Sequence, residues 1–356
     1  MSLKLTDIYT APIVKDNWTE VHSNEIPYLG ATMFPAQKRT GLDSSWIKGN
    51  KGLPVSLMPS SFDAKPTFRD RIGVTKIETE MCFFREEMKI NEKLQQDIMR
   101  CESSNDPHAK ADLQQIFNDS RTLIDGARVV PERMIMQLLA PTDGNCRIGI
   151  TANGISHDYN FDPDGSWKKD NYIALADTDV WSDHTNAKPL NDIRTVTRKA
   201  MSKGSRIGKL LMSQATFDHL VENSQIKSAI LAQNATANIF LDDGMLGDFI
   251  KRKFGVTVLI YEKMYKDEQK KTHAFYPDGY VTFIPDGTPL GTTWFGTTPE
   301  ERSGSAGNAS HTIVDTGISV LVYTTSLPPI NTITCVSEIV LPSYERMDEV
   351  FVAKVF

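Results

Sequence analysis

The chain has 356 residues, 40% of them hydrophobic and 24% charged, and a formal net charge of −6. That length supports two or three domains or subdomains with a sizeable core, and the acidic balance excludes the broad basic face that coating nucleic acid demands. Membrane-spanning, secreted and disulfide- or zinc-stapled classes are set aside together: no run of about 18 apolar residues occurs, residues 1–17 lack the apolar centre of a signal peptide, and Cys82, Cys101, Cys146 and Cys335 are scattered without a CxxC pair.

Residues 1–25 read as an arm with one large anchor, Trp18, and 26–34 as a short extended stretch broken by Pro27 and Gly30. The next segment, 35–72, combines features that rarely coincide. Pro35, Gly41, Gly49, Gly52, Pro54, Pro59 and Pro66 forbid a long helix. Yet Trp46, Ile47, Leu53, Val55, Leu57, Met58, Phe62 and Phe68 are more apolar matter than a disordered segment carries. Between Gln37 and Arg71 seven basic residues stand against three acidic ones, so this stretch is positive on an otherwise acidic chain. As a two-stranded arm it would reach roughly 60 Å at about 3.3 Å per residue, against a radius of gyration of roughly 20 Å for a chain of this length. Such an arm exceeds its own domain. Its apolar residues then need cover from elsewhere, most simply from a neighbouring copy whose acidic surface meets the basic arm. The competing reading folds the segment back on its own domain.

Gly73–Phe84 alternates as the strand returning from the arm, and Glu86–Cys101 has helical character. Leu113, Ile116, Phe117, Leu123, Ile124 and Ala127 then recur at spacings of three, four and seven. This predicts an amphipathic spine helix of about 30 Å, opened at Asp106-Pro107 and weakened at Gly126 and Val129-Val130. Pro131 is expected to open a second helical segment, Glu132–Ala140. Asn153-Gly154, between Cys146–Thr151 and Ile155–Phe161, marks a two-residue hairpin turn, and 162–188 reads as a linker or surface excursion. Leu190–Met201 is predicted helical and Ile207–Met212 extended, with Ser213 capping a helix that starts at Gln214. Asp242 or Asp243 caps another that stops at Gly255, ahead of a strand at Val256–Tyr261. Lys263–Lys271 is a hairpin tip, Tyr280–Ile284 and Thr292–Phe295 are strands, and Glu300–Ser310 is a polar loop. Further strands are predicted at Ile318–Thr324, Ile333–Leu341 and Val350–Val355. The class is α+β.

Residues 160–165, Asn-Phe-Asp-Pro-Asp-Gly, match the first half of a calcium-binding loop, but the twelfth position is Asn171 where a bidentate Glu is needed. A plain turn after a strand explains them equally. Asp158, Asp162 and Asp164 are the residues on which a metal-dependent hydrolase would be centred. The seven histidines show no HxxxH or HExxH spacing, and no nucleophile elbow, phosphate loop or dinucleotide fingerprint is present. No catalytic, cofactor-binding or metal residue is assigned.

The order of parts resembles the Hong Kong 97-type fold of tailed-phage capsid proteins, and more closely the lambda-type, or E, family of major capsid proteins. The residues that carry the likeness are Val129-Val130-Pro131-Glu132-Arg133-Met134, the Asn153-Gly154 hairpin, Tyr276-Pro277-Asp278-Gly279-Tyr280 leading to Ile284-Pro285, the turn Pro289-Leu290-Gly291-Thr292, and Val336–Pro342. The resemblance implies an N-terminal arm and first strand at 1–34 and an extended β-hairpin loop with its return strand at 35–85. A peripheral domain with the spine helix follows at 86–187, an axial domain at 188–296 and a C-terminal return to the peripheral domain at 297–356. It further implies a virion protein without enzymatic activity or cofactor, assembled in the bacterial host cytoplasm from hexamers and pentamers of itself into an icosahedral shell. Scaffolding, portal and decoration proteins are further partners; packaged double-stranded DNA is touched only weakly, and no membrane is involved. Lys38, Arg39, Lys48 and Lys51 are the expected charges, and Trp46, Leu53, Val55, Leu57 and Phe62 the expected apolar contacts, of a loop lying across a neighbouring subunit. The chain departs from the pattern in lacking a long N-terminal helical extension, so scaffolding is expected to be supplied separately, and no Lys–Asn cross-linking pair is evident. The hydrolase above, or another virion component such as a tail or connector protein, stands as the alternative.

Overall fold

The computed structural model describes residues 9–21, 27–48, 75–96, 107–152, 154–231, 242–287, 289–303 and 309–356. They belong to two units, each gathered from three separate stretches: Met1–Ser45, Glu78–Met134 and Thr292–Ser343 in one, Trp46–Ile77, Ile135–Gly291 and Tyr344–Phe356 in the other.

In the first unit the arm around Trp18 is not irregular but contains helix α1 (Ala11–Val21), and the stretch expected to be extended before Phe34 closes into a single helical turn, α2 (Gly30–Met33). Both depend on partners far away in sequence. Trp18 Nε1 donates to Asp125 at 2.8 Å, and the Gly30 N–H donates to both oxygens of the buried Glu132 carboxylate at 3.0 and 2.9 Å. A carboxylate there serves a helix-start N–H that no intrahelical carbonyl can reach.

The strands β1 (Ala36–Lys38), β2 (Asp43–Lys48), β3 (Thr75–Glu80) and β4 (Cys82–Ile90) follow, with β2 and β3 paired as a two-stranded sheet. β4 occupies residues 86–90, where a helix was expected to begin; helix is present at 92–96, and the rest of the expected helix, 97–101, lies outside the described residues. The Glu-Glu-Met-Lys sequence favours helix, but a nine-residue ladder from Cys82↔Val340 to Ile90↔Thr332 overrides it.

Helix α3 (Pro107–Leu139) is a single 33-residue rod of about 50 Å, not two segments parted at Pro131. Pro131 deprives the Ala127 carbonyl of its donor, a loss of about 3 kcal/mol. Ile124, Met134, Ile135, Leu138 and Leu139 are each at most 2% exposed, and burying such side chains at about 1.5–3 kcal/mol apiece outweighs that loss.

The sheet of the first unit has the order β1-β13-β16-β15-β14, with β4 also on β16, where β13 is Thr292–Phe295, β14 Ala309–Val314, β15 Ile318–Thr324 and β16 Thr332–Ser343. Only β1 and β13 run parallel. Tyr9, Val14, Trp18, Ile116, Ile124, Val320 and Val336 form the core joining α1 and α3 to the sheet, and the Tyr9 hydroxyl bonds Ser120 and, at 2.7 Å, Thr334.

The second unit is built on β7-β17-β12-β8-β9, with β7 at Tyr172–Ala174, β8 at Ile207–Met212, β9 at Thr257–Ile260, β12 at Tyr280–Pro285 and β17 at Phe351–Lys354. Helices α5 (Pro189–Ser202), α6 (Gln214–Glu222), α7 (Ser224–Leu231) and α8 (Asp243–Phe254) contribute Ile193, Phe217, Ile226, Leu246 and Ile250 to a core shared with Leu210, Phe283 and Phe351. Ser213 accepts from Thr216 N as a cap, and Gly255 closes α8 at φ 72°. Gly279 is required where it stands: its φ is 80°, and a Cβ would sit 2.8 Å from the Phe356 carbonyl. The hairpins β5 (Arg147–Ala152) with β6 (Ile155–Asn160) and β10 (Met264–Lys266) with β11 (Thr272–Ala274) are both present. Residues 162–188 are more than an excursion, since they hold α4 (Ser166–Asn171) and β7; Asn171 Nδ2 donates to the carbonyls of Asp348 and Val350, both at 2.8 Å. Cys82, Cys146 and Cys335 are buried thiols outside any disulfide, whereas Cys101 lies outside the described residues. No helix among the described residues is long and apolar enough to cross a membrane.

Candidate assembly site

The segment singled out by composition, 35–72, opens with β1 and β2 and is followed by β3 and β4. Lys38, at the end of β1, pairs through Nζ with Glu301, and the Arg39 guanidinium lies 5.7 Å from the Trp294 ring centre while the Arg39 backbone N–H donates to the Phe295 carbonyl at 2.7 Å. Trp46 and Lys48 fall on β2. Lys51, Leu53, Val55, Leu57 and Phe62 lie outside the described residues. Met81 N donates to Leu42 O at 2.9 Å, holding the two sides of the flanking region together in the first unit.

Beside this base sits a charged cluster that sequence reading missed. Glu300 is buried; the Ser337 hydroxyl donates to it at 2.7 Å, and Arg85 pairs with it from β4. Burial alone would push the Glu300 carboxyl up, but Ser337, its own backbone N–H and the Arg85 guanidinium hold it below the ordinary glutamate range. The signal was available. Thr298-Pro299-Glu300-Glu301 is a capping box with Pro at the first helical position: Thr298 Oγ1 accepts from Glu301 N at 3.4 Å, and Glu301 Oε1 accepts from Thr298 N at 3.5 Å, opening helix α9 (Pro299–Ser303). This helix takes the first residues of the expected polar loop and β14 its last two, while 304–308 lie outside the described residues.

Two further features mark the same sheet. Phe83 and Met88 on β4 and Leu42 nearby are 38%, 39% and 44% exposed, and among the described residues β4 pairs with no strand on the edge away from β16. Glu338, on β16 opposite Phe84, is 1% exposed with neither carboxylate oxygen hydrogen-bonded, and this burial raises its pKa well above the ordinary value.

The aspartates weighed for metal chemistry perform local structural tasks in the second unit. Asp162 Oδ1 accepts from Trp167 N and Oδ2 from Lys168 N, each at 2.9 Å, and Asp164 accepts from the Ser166 hydroxyl at 2.9 Å, so together they shape the start of α4. Asp158 lines a groove of about 570 Å³ with Gln137, Asp143, Asn145, Arg147 and Tyr265. Its charged groups are turned on one another: Arg147 pairs with Asp143 at 3.0 Å, and Lys168 Nζ donates to Asp143 O and Asn145 Oδ1 at 2.8 and 3.1 Å. Asp242 stands at the N-cap of α8 without its side chain making a cap bond.

The chain is α+β, with a long helix contributing residues to two discontinuous units. Solved structures place the fold among tailed-phage capsid proteins, the Hong Kong 97-like class. A putative capsid protein of a prophage from E. coli CFT073 is 12% identical with a TM-score of 0.59, covering 98% of this chain and 99% of that one. A phage-related protein from Bordetella bronchiseptica RB50 is 13% identical with a TM-score of 0.56 and 97% coverage of both chains, and the cyanophage A-1(L) capsid protein is 10% identical at 0.50 with 99% coverage of both. No curated protein sequence matches the chain. Residues 17–316 match the phage major capsid protein E family, and the chain belongs to it: it is a structural protein of the phage head shell.

Proposed function

We propose that the segment 35–72 crosses a neighbouring subunit in the shell, with Trp46, Leu53, Val55, Leu57 and Phe62 as its apolar contacts and Lys38, Arg39, Lys48 and Lys51 setting register by charge. The observation that carries this reading is the composition of Gln37–Arg71: apolar and basic together, interrupted by Pro and Gly too often for a core of its own. The strands at its base support it, because β2 within it pairs with β3 just after it and so the stretch between them departs and returns at one place. In the same reading residues 188–296 form the axial body, meeting its copies in hexamers and pentamers around six- and five-fold positions. The peripheral parts are 86–187 and 297–356, and closure multiplies many modest contacts into one icosahedral shell. Scaffolding, portal and decoration proteins join from outside the chain during assembly in the bacterial cytoplasm, and an acidic subunit touches packaged DNA only weakly.

Trp46→Ala tests the loop's role. Electron microscopy of the purified variant is expected to show fewer closed particles while circular dichroism of the subunit stays unchanged; an undiminished particle yield would refute the assignment. Limited proteolysis of the unassembled chain is expected to cut first between Lys38 and Arg71.

A further inference from the structure

Outside the surfaces considered so far, the second unit brings together a set of side chains that no sequence motif announces. His219 and Glu222 sit three residues apart on α6 and therefore share a face, and His184 approaches them from the loop before α5. His184 Nδ1 lies 3.2 Å from a Glu222 oxygen, and its Nε2 lies 2.9 Å from His219 Nδ1. One candidate ligand atom from each residue falls within 4.8 Å of the others.

We propose that His184, His219 and Glu222 bind a divalent transition-metal ion of the zinc type. Two imidazole nitrogens and one carboxylate oxygen form a donor set that suits zinc, cobalt or nickel far better than magnesium or calcium, which favour all-oxygen sites. In the metal-free arrangement protons do the bridging: with His184 Nδ1–H donating to Glu222, His184 Nε2 holds a lone pair and accepts from His219 Nδ1–H. An ion drawing one nitrogen from each ring and one oxygen from Glu222 displaces the ring-to-ring hydrogen bond, each imidazole keeping its single N–H on the nitrogen that does not bind, by proton exchange with solvent where needed, and the exposed position of Glu222 leaves a fourth site for water.

The scaffold is already organised for this. His184 O accepts from Ser224 N at 2.9 Å, and Asn223 Nδ2 donates to Ala187 O at 3.1 Å. Asp183 accepts from the backbone N–H groups of Thr185 and Asn186 at 3.1 and 3.0 Å, and the His219 ring stands edge-on to Phe356 at 4.7 Å. The His184 backbone and the His219 ring are thus held by bonds and packing that owe nothing to a metal, which lowers the ordering cost of binding. A bound ion would tie the loop at 181–187 to α6. The proposal does not depend on how the subunits meet.

The test uses the full chain, stripped with a chelator and titrated with cobalt(II), whose visible bands report tetrahedral nitrogen and oxygen coordination, followed by displacement with zinc. One equivalent per chain is expected, with a rise in melting temperature on adding zinc. The double variant His184→Gln/His219→Gln should lose both the bands and the rise, while the triple variant His157→Gln/His273→Gln/His311→Gln should keep them. Because the double variant perturbs a packed ring, Glu222→Gln serves as an independent check on an exposed side chain and should weaken binding at least about 10-fold. No saturable cobalt signal, a signal surviving in the double variant, or an unchanged affinity in Glu222→Gln would each overturn the assignment.

Discussion

Replacing Glu338 with Met should stabilise the chain, and by an amount that grows with pH. The glutamate is enclosed in β16 with both oxygens unbonded, and its carboxyl stays protonated well above the ordinary range. Even neutral, a buried carboxyl without a partner costs about 1–3 kcal/mol relative to an apolar group of similar volume. The pH dependence follows from the direction of the shift. Between the unfolded value and the raised folded value the native state holds a proton that the unfolded state has released, so stability falls as pH rises across that window. The loss is about 1.4 kcal/mol for each pH unit. Urea unfolding of the unassembled chain, followed by tryptophan fluorescence at several pH values from about 5 to about 8, should show that decline in the native protein and a flatter profile in Glu338→Met. Equal slopes in the two proteins, or a variant less stable at every pH, would show that the carboxyl has a partner or a solvent path and would defeat the reasoning.

Removing the Glu132 carboxylate by substitution with Ala leaves the buried Gly30 N–H without its two acceptor oxygens and should cost about 1–3 kcal/mol, with Glu132→Gln losing less because one acceptor is retained; thermal denaturation of both variants ranks them, and identical melting of all three proteins counts against the cap. Glu300 behaves in the opposite sense to Glu338. Its depressed pKa contributes stability that is present above the unfolded glutamate value and is lost as pH falls through the folded one, so Glu300→Gln should be less stable near neutrality and show a shallower acid-induced loss, read from unfolding midpoints across the acid range.

Much of the fold was legible because local chemistry and tertiary structure agree over long stretches. The Ile116–Ala127 part of the apolar stripe, the Ser213 cap, the Gly255 terminator and the Gly154 turn each act within a few residues of themselves, and each is found in place. The misreadings share a different cause. Pro131 was read as a boundary because proline breaks isolated helices, whereas burial on either side of it carries α3 through. Residues 86–90 were read as helix because their side chains favour it, whereas β16 supplies a ladder from the far end of the sequence. α2 exists because Glu132, a hundred residues away, receives its first N–H. The surface around Glu300 is hidden for a smaller reason: its polar composition suits a loop, and only the Thr298-to-Glu301 capping pattern marks a helix start there. His184 and His219 could not have been joined from spacing at all, since a loop and a helix separated by α5 and β8 bring them together.

The connectivity of the second unit's sheet bears on timing. β17, among the last residues of the sequence, lies between β7 and β12, and β1 near the start is completed by β13. Neither unit can close while its later strands are still inside the ribosome, and pairings across such separations form slowly. A chain that has not yet delivered β13 and β17 therefore lacks a complete sheet in either unit.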